Sequence, residues 1–273
     1  YTFSKNLFSN DLLSLNFNSD GNNNYQNTNN LKTVVNNNFD FKSADFISNW
    51  GFKNNIGVYF KNVNTVAKND TTYKSSPQSE LMNLINLETS LPLIKQNNEY
   101  SDSIIPKISF RFSPTDMKNH SESDRFVDTN NIFSVNRLSV SDSYEPGKSS
   151  TLGVDYKKEA IENISKFFEL NLATVLRDAK EDNIPHKSTL GEKQSNLFGS
   201  LSYNMSKMFN LNYDFALDND LQTFEYNSIG TTFDFNKLVT SFDFVETEDK
   251  MGDTNFIKNS TKLEFNEENY LSF

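Results

Sequence analysis

From Phe209 to Leu217 the chain alternates without a break. Phe209, Leu211, Tyr213, Phe215 and Leu217 are apolar, and Asn210, Asn212, Asp214 and Ala216 lie between them. A period of two places the two sets on opposite faces of a β-strand, whereas a helix would space its apolar residues by three and four. The same beat recurs at Leu238, Thr240, Phe242 and Phe244 and in many other segments. No window reaches the roughly 18 apolar residues of a membrane-crossing helix. A chain of such strands hides its apolar faces in one of two ways. It packs two sheets together, or it closes into a barrel whose outer face meets lipid.

Hydrophobic residues make up only 36% of the chain, and the mean hydropathy is −0.64. That is thin material for a soluble core, yet there are 25 Phe and 11 Tyr, mostly in the alternating segments. A membrane barrel needs only a narrow apolar band outside a polar lumen. The excess of Asn, Ser, Asp and Lys is equally accounted for by AT-rich codon bias. The 273 residues suit one large β domain or two modest ones. We read residues 1–273 as part of a single transmembrane β-barrel, all-β and antiparallel, with on the order of 14 to 16 strands. The chain starts at Tyr1 and is expected to be a piece of a longer protein.

The net charge of −10 and pI of 4.8, with no basic stripe, argue against a nucleic-acid partner. Cysteine is absent, which removes disulfides and thiolate metal sites. His120 and His186 lie in polar stretches, apart from any ligand-spaced partner, so neither zinc nor a His-activated serine is supported. The acidic runs Glu246–Asp253 and Glu267-Glu268 lack the spacing of a calcium loop and read as solvated charges. Asn69-Asp70-Thr71 is a weak glycosylation match. Trp50 and Tyr59 are candidates for an interfacial aromatic belt, with ordinary packing as the alternative. No catalytic, cofactor-binding or metal-binding residue is expected, and no cofactor.

Strands are predicted at Phe168–Leu176, Leu197–Tyr203, Phe209–Leu217, on to about Phe235, at Leu238–Val245 and at Lys262–Phe265. Reversals are predicted around Ser206-Lys207, at Asp218-Asn219-Asp220 and at Asn236-Lys237. Shorter alternations mark Leu13–Phe17, Phe39–Phe41, Ile56–Phe60 and Ile108–Phe112 after Pro106. Polar connections are expected at Asn22–Asn30, Asn62–Gln78, Thr115–Thr129, Ser139–Ser150 and Asp178–Gln194. Long loops of this kind are uncommon in a sandwich and ordinary on one end of a barrel.

The run Asp128-Thr129-Asn130-Asn131-Ile132-Phe133-Ser134-Val135-Asn136-Arg137-Leu138, then Asp142, Glu145, Gly147 and Leu152-Gly153, resembles the middle of the LptD family. That family comprises the outer-membrane barrels of lipopolysaccharide assembly. Arg177-Asp178, Ile184-Pro185, Ser188, Leu190, Lys193, Ser195, Gly199 and Tyr203 are similar to a later block. Tyr213, Phe215, Leu217-Asp218 and Asn227 continue it, and Leu91-Pro92, Ile105-Pro106-Lys107 and Ser113-Pro114 fit the preceding strands. The resemblance covers about residues 81–235. It departs at Ser143, where an Arg is expected.

The resemblance implies an outer-membrane protein that is no enzyme and inserts lipopolysaccharide into the outer leaflet through a hydrophilic lumen and a lateral gate. Its implied partners are lipopolysaccharide, the periplasmic bridge protein, a lipoprotein plug of the LptE kind and the barrel-insertion machinery. An amino-terminal periplasmic domain and the terminal strands would lie outside this chain. Asp128, Asn130, Asn136, Arg137, Asp142, Arg177, Asp178, Pro185, Ser188, Ser195 and Gly199 are the motif residues, expected at the lumen or rim or in structural roles. Ion pairs that fix loops are the expected use of Asp128, Arg137, Arg177 and Asp178. The alternatives are another outer-membrane barrel, a porin or nutrient receptor channel, and a soluble β-rich surface protein.

Overall fold

The computed structural model describes residues 1–26, 29–70, 72–206, 208–265 and 270–273. Sixteen strands lie in one antiparallel sheet among these residues. In chain order they are β1 (Thr2–Ser9), β2 (Leu13–Gln26), β3 (Asn30–Ser43), β4 (Phe46–Ile47), β5 (Lys53–Lys68), β6 (Gln78–Ser90), β7 (Leu93–Gln96) and β8 (Tyr100–Ser113). Then follow β9 (Gly147–Ala160), β10 (Phe167–Arg177), β11 (Leu197–Ser206), β12 (Phe209–Leu217), β13 (Phe224–Asp234), β14 (Leu238–Thr247), β15 (Thr254–Glu264) and β16 (Tyr270–Ser272). Each strand pairs with the next, except that the short β4 and β7 add to the ends of β5 and β8. Among the described residues no helix is long and apolar enough to cross a membrane.

Register carries the alternation from strand to strand. Ile104, Tyr156, Leu170, Leu201, Tyr213, Ile229, Phe244 and Ile257 are successive cross-strand partners from β8 to β15. Phe17, Phe39 and Phe60 form the corresponding row on β2, β3 and β5, with the Phe17 and Phe39 ring centroids 4.8 Å apart. This is an apolar outer band that no other part of the described chain covers: Ile257 is 75% exposed and Phe242 48%. One residue along, Asp155, Asn171, Ser200, Asp214 and Ser228 make a polar row on the other face. A soluble sheet would bury the first row and expose the second; lipid outside and water inside fits the reverse.

The strands are longer than the sequence suggests: β9 begins at Gly147 within the expected Ser139–Ser150 connection, and β15 begins at Thr254 ahead of Lys262. Asn22–Asn30 and Asn62–Gln78 were expected as connections, yet β2 runs to Gln26, β3 starts at Asn30 and β5 runs to Lys68. Their polar side chains bond across the ladder: Asn36 Nδ2 donates to Asp20 Oδ2 at 3.0 Å and Asn62 Nδ2 to Ser79 Oγ at 3.1 Å. Residues 27 and 28 lie outside the described part, as do Thr71, Lys207 and Glu267-Glu268. The Glu246–Asp253 segment is shorter as a loop than expected, because β14 continues to Thr247 and β15 begins at Thr254. Tyr59 is not a belt residue. It faces inward and is buried, packed with Val63, Leu84 and Tyr144. Trp50 is exposed in the turn after β4.

Candidate functional site

The segments 114–146, between β8 and β9, and 178–196, between β10 and β11, fold back onto the inner face of the sheet. Apolar side chains hold them there in part. Met117, Val127, Ile132, Leu138 and Val140 from the first, and Ile184 and Leu190 from the second, cluster with Ala173, Val175, Phe198 and Ala216 of the wall. Asp128 opens the central turn, its carboxylate accepting the N–H groups of Asn130 (2.8 Å) and Asn131 (3.0 Å), as short acidic side chains do at such reversals. Gly153 on β9 leaves the space for Phe133: a Cβ there would fall 2.7 Å from the ring.

Beneath this lid sits a buried charge cluster. Arg137 of the segment grips Glu145 with two short bonds, Nε to Oε1 at 2.8 Å and Nη2 to Oε2 at 2.6 Å. Arg111 of β8 and Arg177 of β10 approach the same carboxylate from the wall, at 3.8 and 3.6 Å. All four side chains are buried. Three guanidinium charges against one carboxylate would be costly without further acceptors. Backbone carbonyls of the segment supply them. Arg111 donates to Ser134 O (2.8 Å) and Val135 O (2.7 Å), Arg137 to Ile132 O (3.2 Å), and Arg177 to Pro146 O. Arg137 also donates to Thr151 Oγ1 on β9 at 2.8 Å. Burial alone would raise the Glu145 pKa; the guanidiniums, Arg137 foremost, reverse this and hold it at about 2.

A second pin lies toward β5. The Asp142 carboxylate receives His120 Nε2 at 2.9 Å and the Tyr73 hydroxyl. Burial opposes its ionisation, but these hydrogen bonds prevail and bring its pKa to about 2. Lys61 of β5 donates to Ser141 O at 2.7 Å and lies 4.6 Å from the Tyr144 ring centroid. The segment is thus tied to β5 as well as to β8, β9 and β10.

The expected residues fall into separate places. Arg137 and Arg177 meet at Glu145, and Asp142 makes the second pin. Pro185 and Ser188 form a buried turn, Ser188 Oγ donating to Pro185 O at 2.6 Å. Ser195 is buried and accepts the Val175 N–H at 2.9 Å. Asn136 accepts the Val140 N–H at 3.1 Å, and Asn130 is exposed. Gly199 lies under the Phe215 ring, 2.1 Å from where a Cβ would be. Asp178 receives the Lys148 N–H at 3.4 Å. Asp128 and Asp178 make no ion pair among the described residues. Sequence reasoning did not single out Arg111, Tyr73 or Lys61; only the inward parity of Arg111 between Phe110 and Phe112 hinted at its side.

Phe126, Phe198, Tyr226, Asp128, Asp214 and Thr247 border a cavity of about 400 Å³ between the first segment and the β11–β14 wall. A second cavity, of about 610 Å³, lies beside Lys32, Tyr73, Lys118 and His120. Among the described residues no group of three or more His, Asp or Glu is placed to hold a metal. Residues 81–267, about two thirds of the chain, match a family model described as LptD, LPS transport system D. No curated protein matches the chain.

Proposed function

The chain belongs to the LptD family, whose members are outer-membrane proteins of lipopolysaccharide transport and assembly, and we propose that it forms the wall through which lipopolysaccharide sugars reach the cell surface. On this reading residues 1–273 are part of one barrel domain. The supporting observation is the pair of adjacent rows, Ile104 through Ile257 outside and Asp155 through Ser228 inside. Hydroxyls and amides on the inner row offer sugars exchangeable hydrogen bonds without a deep energy well. Acyl chains cannot cross fully paired strands and leave laterally where pairing is weak. A periplasmic bridge delivers the cargo, a lipoprotein of the LptE kind occupies the lower lumen, and the barrel-insertion machinery places the protein. The motif residues Arg137, Asp142 and Arg177 act by holding segment 114–146 in the lumen.

The test is photo-crosslinking in cells, with the full-length protein carrying a photoreactive residue at Ser200 or at Leu201. Lipopolysaccharide adducts are expected from Ser200 and phospholipid adducts from Leu201. Absence of lipopolysaccharide adducts at Ser200, Asn171 and Ser228 alike would sink the reading. A diffusion porin would likewise need a loop folded against its inner wall, as segments 114–146 and 178–196 are, and liposome swelling with small sugars would favour that second reading.

A further inference from the structure

The cavity between segment 114–146 and the β11–β14 wall has an unusual lining. Phe126, Phe198 and Tyr226 supply aromatic faces, Asp128 and Asp214 supply carboxylates, and among the described residues no lysine or arginine lines it; Lys187, 5.3 Å from the Phe126 ring centroid, is paired with Asp124 at 2.6 Å. Neither carboxylate is in an ion pair among the described residues, although the two are near enough to act on each other electrostatically. Ionised carboxylates only accept hydrogen bonds, so they select ligands rich in hydroxyl or ammonium donors and repel phosphates. Aromatic faces complement the apolar C–H face of a pyranose and attract an ammonium. The volume, about 400 Å³, lies within the usual range for small-molecule sites. The other cavity has the opposite character, with Lys32 and Lys118 set 4.3 and 5.0 Å from the Tyr73 ring centroid.

We propose that the Asp128–Asp214 cavity is a docking subsite for one unphosphorylated hexose unit, with preference for a free amino sugar. It rests on the reading of the lumen as a saccharide path and adds a charge filter to it: phosphorylated units are turned away from the β11–β14 wall. Asp214 accepts from the sugar's hydroxyl or ammonium group, Tyr226 and Phe126 face the ring, and Asp128, already held by the Asn130 and Asn131 N–H groups, is fixed in position.

The experiment is ligand-observed NMR on the full-length protein in detergent, with glucosamine, glucose and glucose 6-phosphate as probes. Glucosamine is expected to bind about tenfold more tightly than glucose, the size of one charge-assisted hydrogen bond, and glucose 6-phosphate more weakly than either. Asp214→Asn keeps the shape and should erase the glucosamine advantage. Phe126→Ala, at an exposed position, should weaken glucose and glucosamine alike. Heat-modifiable gel mobility verifies that each variant is folded. Equal binding of glucose 6-phosphate and glucose, no binding of glucosamine, or an unchanged preference in Asp214→Asn overturns the proposal. Those results leave the Ser200 crosslinking outcome untouched, so failure of the subsite and failure of the transport path are separately visible.

Discussion

Glu145→Gln should release segment 114–146 from the inner wall. Glutamine keeps the shape and one acceptor but removes the carboxylate that faces Arg111, Arg137 and Arg177 together. Removing one partner of a buried pair costs about 3–5 kcal/mol. The titration of the group points the same way: the guanidiniums hold the Glu145 carboxyl at about 2, well below the ordinary glutamate range. The folded-state pKa is depressed, so this stabilisation is complete above about pH 4.5 and is lost as pH falls toward 2. Hydrogen exchange at neutral pH is expected to show the amides of 114–146 opening from about a hundredfold to a few thousandfold more often in the variant, at about 1.4 kcal/mol per decade, with the β9–β10 amides unchanged. Pepsin cleavage between pH 5 and 2 supplies the acid arm. The wild-type segment should become cleavable across that window. Asp142 titrates in the same range, so only Glu145→Gln combined with Asp142→Asn should be cleaved independently of pH. Equal exchange in wild type and Glu145→Gln would refute the claim that charge holds the segment.

Arg137→Lys should lower stability by about 2–4 kcal/mol, because an ammonium cannot reproduce the paired Glu145 bonds and the Thr151 bond together; urea unfolding in lipid vesicles measures it. Leu201→Arg, facing hydrocarbon, should cost about 2–4 kcal/mol in the same assay, whereas Ser228→Arg on the inner row, opposite Asp214, should cost little. Equal costs would contradict the assignment of faces. Ser195→Ala leaves the buried Val175 N–H without its acceptor and should cost about 1–3 kcal/mol, read as a lower unfolding midpoint.

The sheet was legible wherever apolar residues alternate. Phe209–Leu217 is β12 to the residue, and Asn236-Lys237 is the predicted reversal, with Asn236 in the left-handed region at φ 67°, which asparagine tolerates. Alternation is blind to a strand with polar residues on both faces, which is why the far end of β2 read as a loop; at the far end of β5 the apolar Val63 and Ala67 are buried on the inner face, among Asn62, Asn64 and Lys68, against the sense of the outer band. The site was less visible for a different reason. Arg111, Arg137, Glu145 and Arg177 come from β8, the segment and β10, and no spacing along a chain states that a folded-back segment brings them together. The resemblance marked Arg137 and Arg177, but not Arg111.

Codon bias and a polar lumen both account for the asparagine content, and the two make different demands on position. Bias alone scatters asparagine without regard to register. Many of these side chains are instead matched across strands on the inner face: Asn6 with Asn16 at 2.9 Å, Asn18 with Asp40 at 3.1 Å, Asn36 with Asp20 at 3.0 Å and Asn86 with Ser109 at 2.7 Å. Asn171 meets Ser200 at 3.3 Å and Asn212 meets Ser202 at 3.0 Å. Lateral pairing of this kind satisfies much of each amide within the wall. A passing sugar then meets a surface that is wettable but already partly bonded, and so exchanges contacts at little net cost. Basic side chains in the same places would grip a phosphorylated cargo; a self-paired wall of amides, hydroxyls and carboxylates lets it move.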